Sequence, residues 1–244
     1  MSARVTRAIA LRVLRQLRRD PRTLALVFVV PPLLLTLFKY VFYGQPETFD
    51  RIGGPLVGIF PFVLMFVITS ITMLRERTTG TLERLMTLPL SKLDLLAGYA
   101  LAFGLVAAVQ AGITAAVAFG LLGLDVEGSV VVVVVLAVCN ALLGMSLGLF
   151  ASAFAQSEFQ AVQFMPAFVL PQFLLCGLLV ARDKMAPLLE WISYVLPLTW
   201  AYDGLQRAVD GGDPWLIARD AAIVLAVTML ALALAAATLR RRTP

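Results

Sequence analysis

Six apolar runs, at about residues 24–43, 54–74, 97–122, 129–155, 160–181 and 220–239, govern what this chain can fold into. Each can carry a helix through a bilayer core, which takes about 20 apolar residues. Helices are required there because lipid offers no partner to a backbone N–H or C=O, so each must be satisfied within its own segment. Composition agrees: of 244 residues, 60% are hydrophobic and 14% charged, and the mean hydropathy is +0.90. Six crossings consume about half the chain, and the remainder reads as loops rather than a soluble catalytic domain. The expected fold is all-α and polytopic, with six transmembrane helices. The first run begins too late and is too long for the core of a cleavable signal, so it reads as a span.

The charges sort by membrane side. Arg4, Arg7, Arg12, Arg15, Arg18, Arg19 and Arg22 precede the first span; Arg75, Arg77, Arg84 and Lys92 lie between the second and third; Arg240, Arg241 and Arg242 follow the sixth. The opposite side collects Arg51, Arg182, Lys184, Arg207 and Arg219, with Lys39 able to snorkel from the end of the first span. An excess of basic residues marks cytoplasmic segments, which places both termini in the cytoplasm. The net charge of +5 is thus a topology signal and not a sign of nucleic-acid binding.

Several chemistries lack their residues. Histidine is absent, and the two cysteines, Cys139 and Cys176, lie within apolar runs and read as packing residues. No nucleophile and base pair up at membrane depth, so no catalytic, metal or cofactor residue is assigned on this chain. Ion-coupled transporters place ionisable groups near the midplane; here the central polar residues are Gln110, Asn140 and Gln172 with a few hydroxyls. An ion-coupled secondary transporter or channel is the alternative reading. Gly54/Gly58 and Gly144/Gly148 have the spacing that lets two helices approach closely, and could mark a dimer interface. Prolines 31, 32, 61, 166 and 171 fall inside spans, where neighbours must satisfy the carbonyls they free.

Two polar stretches carry more pattern than a connector needs. Within residues 1–23, Val5, Ile9, Val13 and Leu17 recur every four positions among arginines, which predicts an amphipathic helix in the inner interface, turned into the first span at Asp20-Pro21. The remainder, 24–244, is the transmembrane domain. Between spans two and three, within 75–92, Thr79 or Thr81 can cap a short helix with an apolar face of Leu82, Leu85 and Met86, stopped by Pro89. On the opposite side, 183–203 is too apolar for a free loop and too interrupted for a span, which predicts a short outer helix or re-entrant pair with Trp191, Tyr194, Trp200 and Tyr202 at headgroup level.

The string Arg75-Glu76-Arg77-x-x-Gly80-Thr81-Leu82-Glu83-x-Leu85, then Pro89 and Leu96-Ala-Gly98-Tyr99, resembles the signature of type-2 ATP-binding-cassette export permeases. The family includes daunorubicin-resistance, lipid and polysaccharide exporters. The Ser152 to Glu158 stretch and Leu196-Pro197-Leu198-Thr199 extend the resemblance along the chain.

The resemblance implies a permease subunit in the bacterial cell membrane that exports an amphipathic or hydrophobic substrate. A second permease copy or paralogue, two cytoplasmic ATPase subunits carrying ATP and Mg, and membrane lipid would be its partners. No Gly-x-x-x-x-Gly-Lys-Ser/Thr loop occurs, so ATP hydrolysis would belong to the separate subunits. The implied coupling residues are Arg75, Glu76, Gly80, Thr81, Leu82, Glu83, Arg84, Leu85, Met86 and Pro89. Phe62, Phe66, Thr69 and Ser70, which share one helix face, with Phe168 and Gln172, are the expected substrate path. Pro197, Leu198, Thr199 and Tyr202 are the expected outer gate.

Overall fold

A computed structural model describes residues 2–87 and 91–238. Ten α-helices form among the described residues: α1 (Ala3–Arg18), α2 (Pro21–Val41), α3 (Pro46–Thr78), α4 (Thr81–Thr87), α5 (Lys92–Ala115), α6 (Val130–Ser152), α7 (Glu158–Leu175), α8 (Pro187–Val195), α9 (Pro197–Val209) and α10 (Pro214–Thr238). A wider π-type turn, Ala116–Leu121, continues α5. No strand occurs among these residues. Prolines open α2, α3, α8, α9 and α10, where a missing N–H costs no helix bond.

Five helices are long and apolar enough to cross a membrane: α2, α3, α5 with its π turn, α6 and α10. The run expected at 160–181 differs. Its helix, α7, ends at Leu175, and the chain bends through Gly177 at a φ of +105°. Glu158, three glutamines and two prolines make α7 less apolar than the other five. At 1.5 Å per residue, the 33 residues of α3 reach about 50 Å, past both ends of the expected 54–74 span.

The long helices α3 and α6 form the centre. Gly144 lies against the backbone of Phe62 and Gly148 against that of Phe66, while Gly54 and Gly58 receive Val209 and Leu205. These glycines therefore serve close approach within the chain, not the dimer interface their spacing allowed. The core divides into two halves, named for the side on which the charge pattern predicts them: an outer half around Leu56, Phe62, Leu143, Leu198 and Leu205, and an inner half around Ile9, Val13, Met73, Leu95, Tyr99 and Phe103. The basic helix α1 joins the inner half: Ile9, Ala10 and Val13 are buried, and Ile9 packs against Gly98 of α5. The α1 start is tied to α5, since the Ser2 N–H donates to Asp94 at 2.8 Å and Asp94 and Ser91 form a capping box.

Candidate functional site: the inner end of α3 and the outer hairpin

At its inner end α3 stops where Gly80 turns the chain at a φ of +70°, a conformation open to glycine at little cost. The Thr79 hydroxyl donates back to the Arg75 carbonyl at 2.7 Å rather than capping the next helix. Thr81 then opens α4, the short helix expected here. Its apolar side does not face out as a plug for a partner. Leu82 is 8% exposed and packs with Leu85 into the inner core, alongside Met73, Leu95 and Tyr99. Glu83, Arg84 and Thr87 are the exposed residues. The Met86 side chain and Pro89 lie outside the described residues.

Glu76 also departs from expectation. The pattern put it on a partner-facing surface, but it is 2% exposed, its carboxylate accepting from Arg12 of α1 at 2.7 Å and from the Tyr99 hydroxyl of α5. The reason is position: Glu76 lies inside α3's last turn, on the side that α1 and α5 cover. Burying one carboxylate beneath two donors binds three helices into one block beside α4. The signal was local, since a tyrosine two turns into an apolar span wants a polar partner.

Arg75 points elsewhere, bidentate to Glu158 at the start of α7 at 2.7 and 2.9 Å. Arg77 donates to the Ser152 carbonyl at 3.3 Å. The hydrogen bonds from Arg75 hold the Glu158 carboxyl below its usual range. A depressed carboxyl stabilises the fold above its unfolded value of about 4.3, and that stabilisation is lost as pH falls through the lower folded value. Both side chains are about half exposed, so water screens the pair and its worth is under about 1 kcal/mol. Accordingly, wild type and Glu158→Gln should differ in melting temperature by the same small amount from pH 6 to 8. The difference should shrink once pH falls below the unfolded value of about 4.3 and vanish below the lower folded one; a gap that grew on acidification would refute the assignment.

The expected substrate path is largely closed within this chain. Phe62, Phe66, Thr69 and Ser70 are fully buried. Thr69 donates to Met65 and Met145 carbonyls at 2.6 and 3.2 Å, and Ser70 to the Ala161 carbonyl at 3.4 Å. The face they share holds α3 to α6 and α7, because α6 glycines draw that face inward. Phe168 keeps an outward surface at 38% exposure while meeting Phe66. Gln172 is buried, donating to the Phe168 carbonyl at 2.7 Å and accepting from the Leu198 N–H at 3.4 Å.

At the outer end the expected segment 183–203 is a helical hairpin, α8 and α9, broken at Leu196. Pro197 opens α9, Leu198 and Thr199 are buried, and Thr199 donates to the Ser193 carbonyl at 2.6 Å. The second arm runs on to Val209, further than the apolar pattern indicated, because its inner side packs on Gly54 and Gly58. Charges read as loop residues are drawn in with it. Asp203 meets Arg182 at 2.8 Å and Arg207 at 3.8 Å, and the fully buried Asp220 meets Arg207 and, at 2.9 Å, Arg219. Pairing is what makes these burials tolerable. Among the described residues no cluster could hold a metal ion.

A basic amphipathic helix, a short helix after the second long span and an apolar helical hairpin thus stand in one helical bundle, and residues 4–209 match the ABC-2 type transporter family. The chain belongs to that family and is a multi-pass membrane permease.

Among its relatives are the linearmycin resistance permease protein LnrN of Bacillus subtilis, 28% identical over 62% of this chain and 40% of that protein. The inner membrane transport permease YhhJ of Escherichia coli is 27% identical over 56% of this chain and 37% of its own length. ABC transporter G family member 20 of Dictyostelium discoideum is 26% identical over 67% of this chain and 23% of its own length. The chain thus spans less than half the length of each of these relatives.

Proposed function

We propose that this permease is the membrane subunit of an ATP-driven exporter of amphipathic or hydrophobic substrates, powered by a separate cytoplasmic ATPase that docks on α4. One observation carries the reading: α4 is packed into the same inner core as α1, α3 and α5, and among its described side chains Glu83, Arg84 and Thr87 are turned outward. A push on that exposed edge is passed to α3 as a rigid element, since packed interiors yield little. The basic α1 and the basic segment 75–92 support a cytoplasmic location for this end, and the proposed assembly sets two permease copies, or a permease and a paralogue, above two ATPase subunits. The names of two relatives, the linearmycin resistance permease LnrN and the probable multidrug permease YbhS of Escherichia coli, support a drug-type cargo.

The paired reversal Glu83→Lys/Arg84→Glu tests this, because it inverts the docking edge while leaving Leu82 in place. The variant should reach the membrane at the wild-type level, melt at the wild-type temperature and lose at least about tenfold in ATPase co-purification, the scale of one or two lost charge-assisted contacts. Full ATP-dependent export by that variant would overturn the docking assignment. Transport by the wild-type chain with no ATPase present would overturn the proposed energy source.

A further inference from the structure

The outer end holds a cleft of about 350 Å³ with Arg51, Arg182, Asp183, Glu190, Tyr194 and Tyr202 in its wall. Arg182 reaches Asp203 through Nη2, and its guanidinium lies 5.3 Å from the Tyr194 ring. Its Nη1 is buried with no partner. A buried guanidinium N–H without an acceptor is costly, so an incoming oxygen anion at that point gains more than it would on an open surface. Arg51 and Asp183 are exposed at the cleft, and among the described residues neither they nor Glu190 form an ion pair.

Two cations and two carboxylates lining one cleft balance, which disfavours a simple anion and suits a ligand carrying both signs. Directly beside it α8 exposes Leu188, Trp191 and Val195, each 68% accessible. A polar cleft of both signs next to an apolar helix face has the layout of a lipid headgroup above its acyl chains.

We propose that this cleft binds one zwitterionic phospholipid of the outer leaflet with a primary ammonium, a phosphatidylethanolamine. Its phosphate accepts from Arg51 and from Arg182, whose guanidinium turns Nη1 toward the cleft on binding, its ammonium donates to Asp183 and Glu190, and its chains lie along α8. A phosphatidylcholine headgroup has no N–H to donate and binds less well; phosphatidylglycerol brings only the anion and meets uncompensated carboxylates. The leaflet rests on the orientation argued under the proposed function. Headgroup choice does not, and it is read without an ATPase, so either reading can fail while the other stands.

Native mass spectrometry of the purified full chain in detergent, offered equal amounts of the three lipids, tests the site. Wild type should retain one phosphatidylethanolamine with at least about fivefold preference over either competitor. Arg51→Ala should lower that retention. Asp183→Asn/Glu190→Gln, which leaves the cleft net positive, should reverse the preference toward phosphatidylglycerol. All variants should melt with wild type, since none of these side chains is buried. Equal retention of the three lipids, or an unreversed preference in the double variant, would overturn the site.

Discussion

Gly144→Ala should destabilise the permease by about 2–3 kcal/mol, the upper part of the range for overpacking, and Gly144→Val should leave little folded protein. A Cβ at this position would overlap the Phe62 carbonyl. The obstacle is backbone on a facing helix, so it cannot swing aside as a side-chain tip would. Relief requires α3 and α6 to separate, and with them Gly148 from Phe66 and Thr69 from the Met145 carbonyl. Gly112 provides the contrast: nothing lies within 4 Å of a Cβ added there, and Gly112→Ala should stabilise by about 0.5–1 kcal/mol through the lower flexibility of alanine. Thermal melts followed by tryptophan fluorescence in detergent read both. A Gly144→Ala melt within a degree of wild type would show that the helices are not in contact there.

The second large effect is expected at Glu76. Glu76→Ala strands the Arg12 guanidinium and the Tyr99 hydroxyl, both turned toward the inner core. Removing one member of a buried pair costs about 3–5 kcal/mol. Arg12 is about a third exposed, and discounting for that leaves about 2–3 kcal/mol. The double variant Arg12→Met/Glu76→Met removes both charges and should recover the part of the loss due to the stranded guanidinium, leaving only the unpaired Tyr99 hydroxyl, because an apolar pair of similar volume needs no partner. If the double variant were as unstable as the sum of the two single changes, the two side chains would not interact and the block joining α1, α3 and α5 would be misassigned. If α4 is the docking element proposed above, export by Glu76→Ala should fall further than stability alone explains, since α4 loses the rigid base through which a push would reach α3.

How far the sequence could be read follows from how far apart the interacting residues lie. Five of the six expected apolar runs, the amphipathic α1, the short helix after Gly80 and the apolar hairpin of α8 and α9 all rest on patterns within about 20 consecutive residues, and those were legible. The limits of legibility appear at Glu76, Asp203 and Asp220. Each reads as a surface charge in its own segment and is buried because a residue 13 to 64 positions away reaches it. The aromatic and hydroxyl face of α3 shows the same limit. One helix displays which residues share a side, but not whether that side meets a substrate or another helix.

The amino-acid order by itself determined that this protein lives in lipid, with long apolar helices and charges kept to the segments between them, because the bilayer penalises any unsatisfied backbone group and any unpaired charge, whatever the neighbours. Tertiary structure alone decided which charges are enclosed, that the glycine pairs close α3 on α6 and α9, and that α4 presents a polar edge while Leu82 turns in. Those outcomes depend on which faces meet, and contact between distant segments leaves no period in the chain.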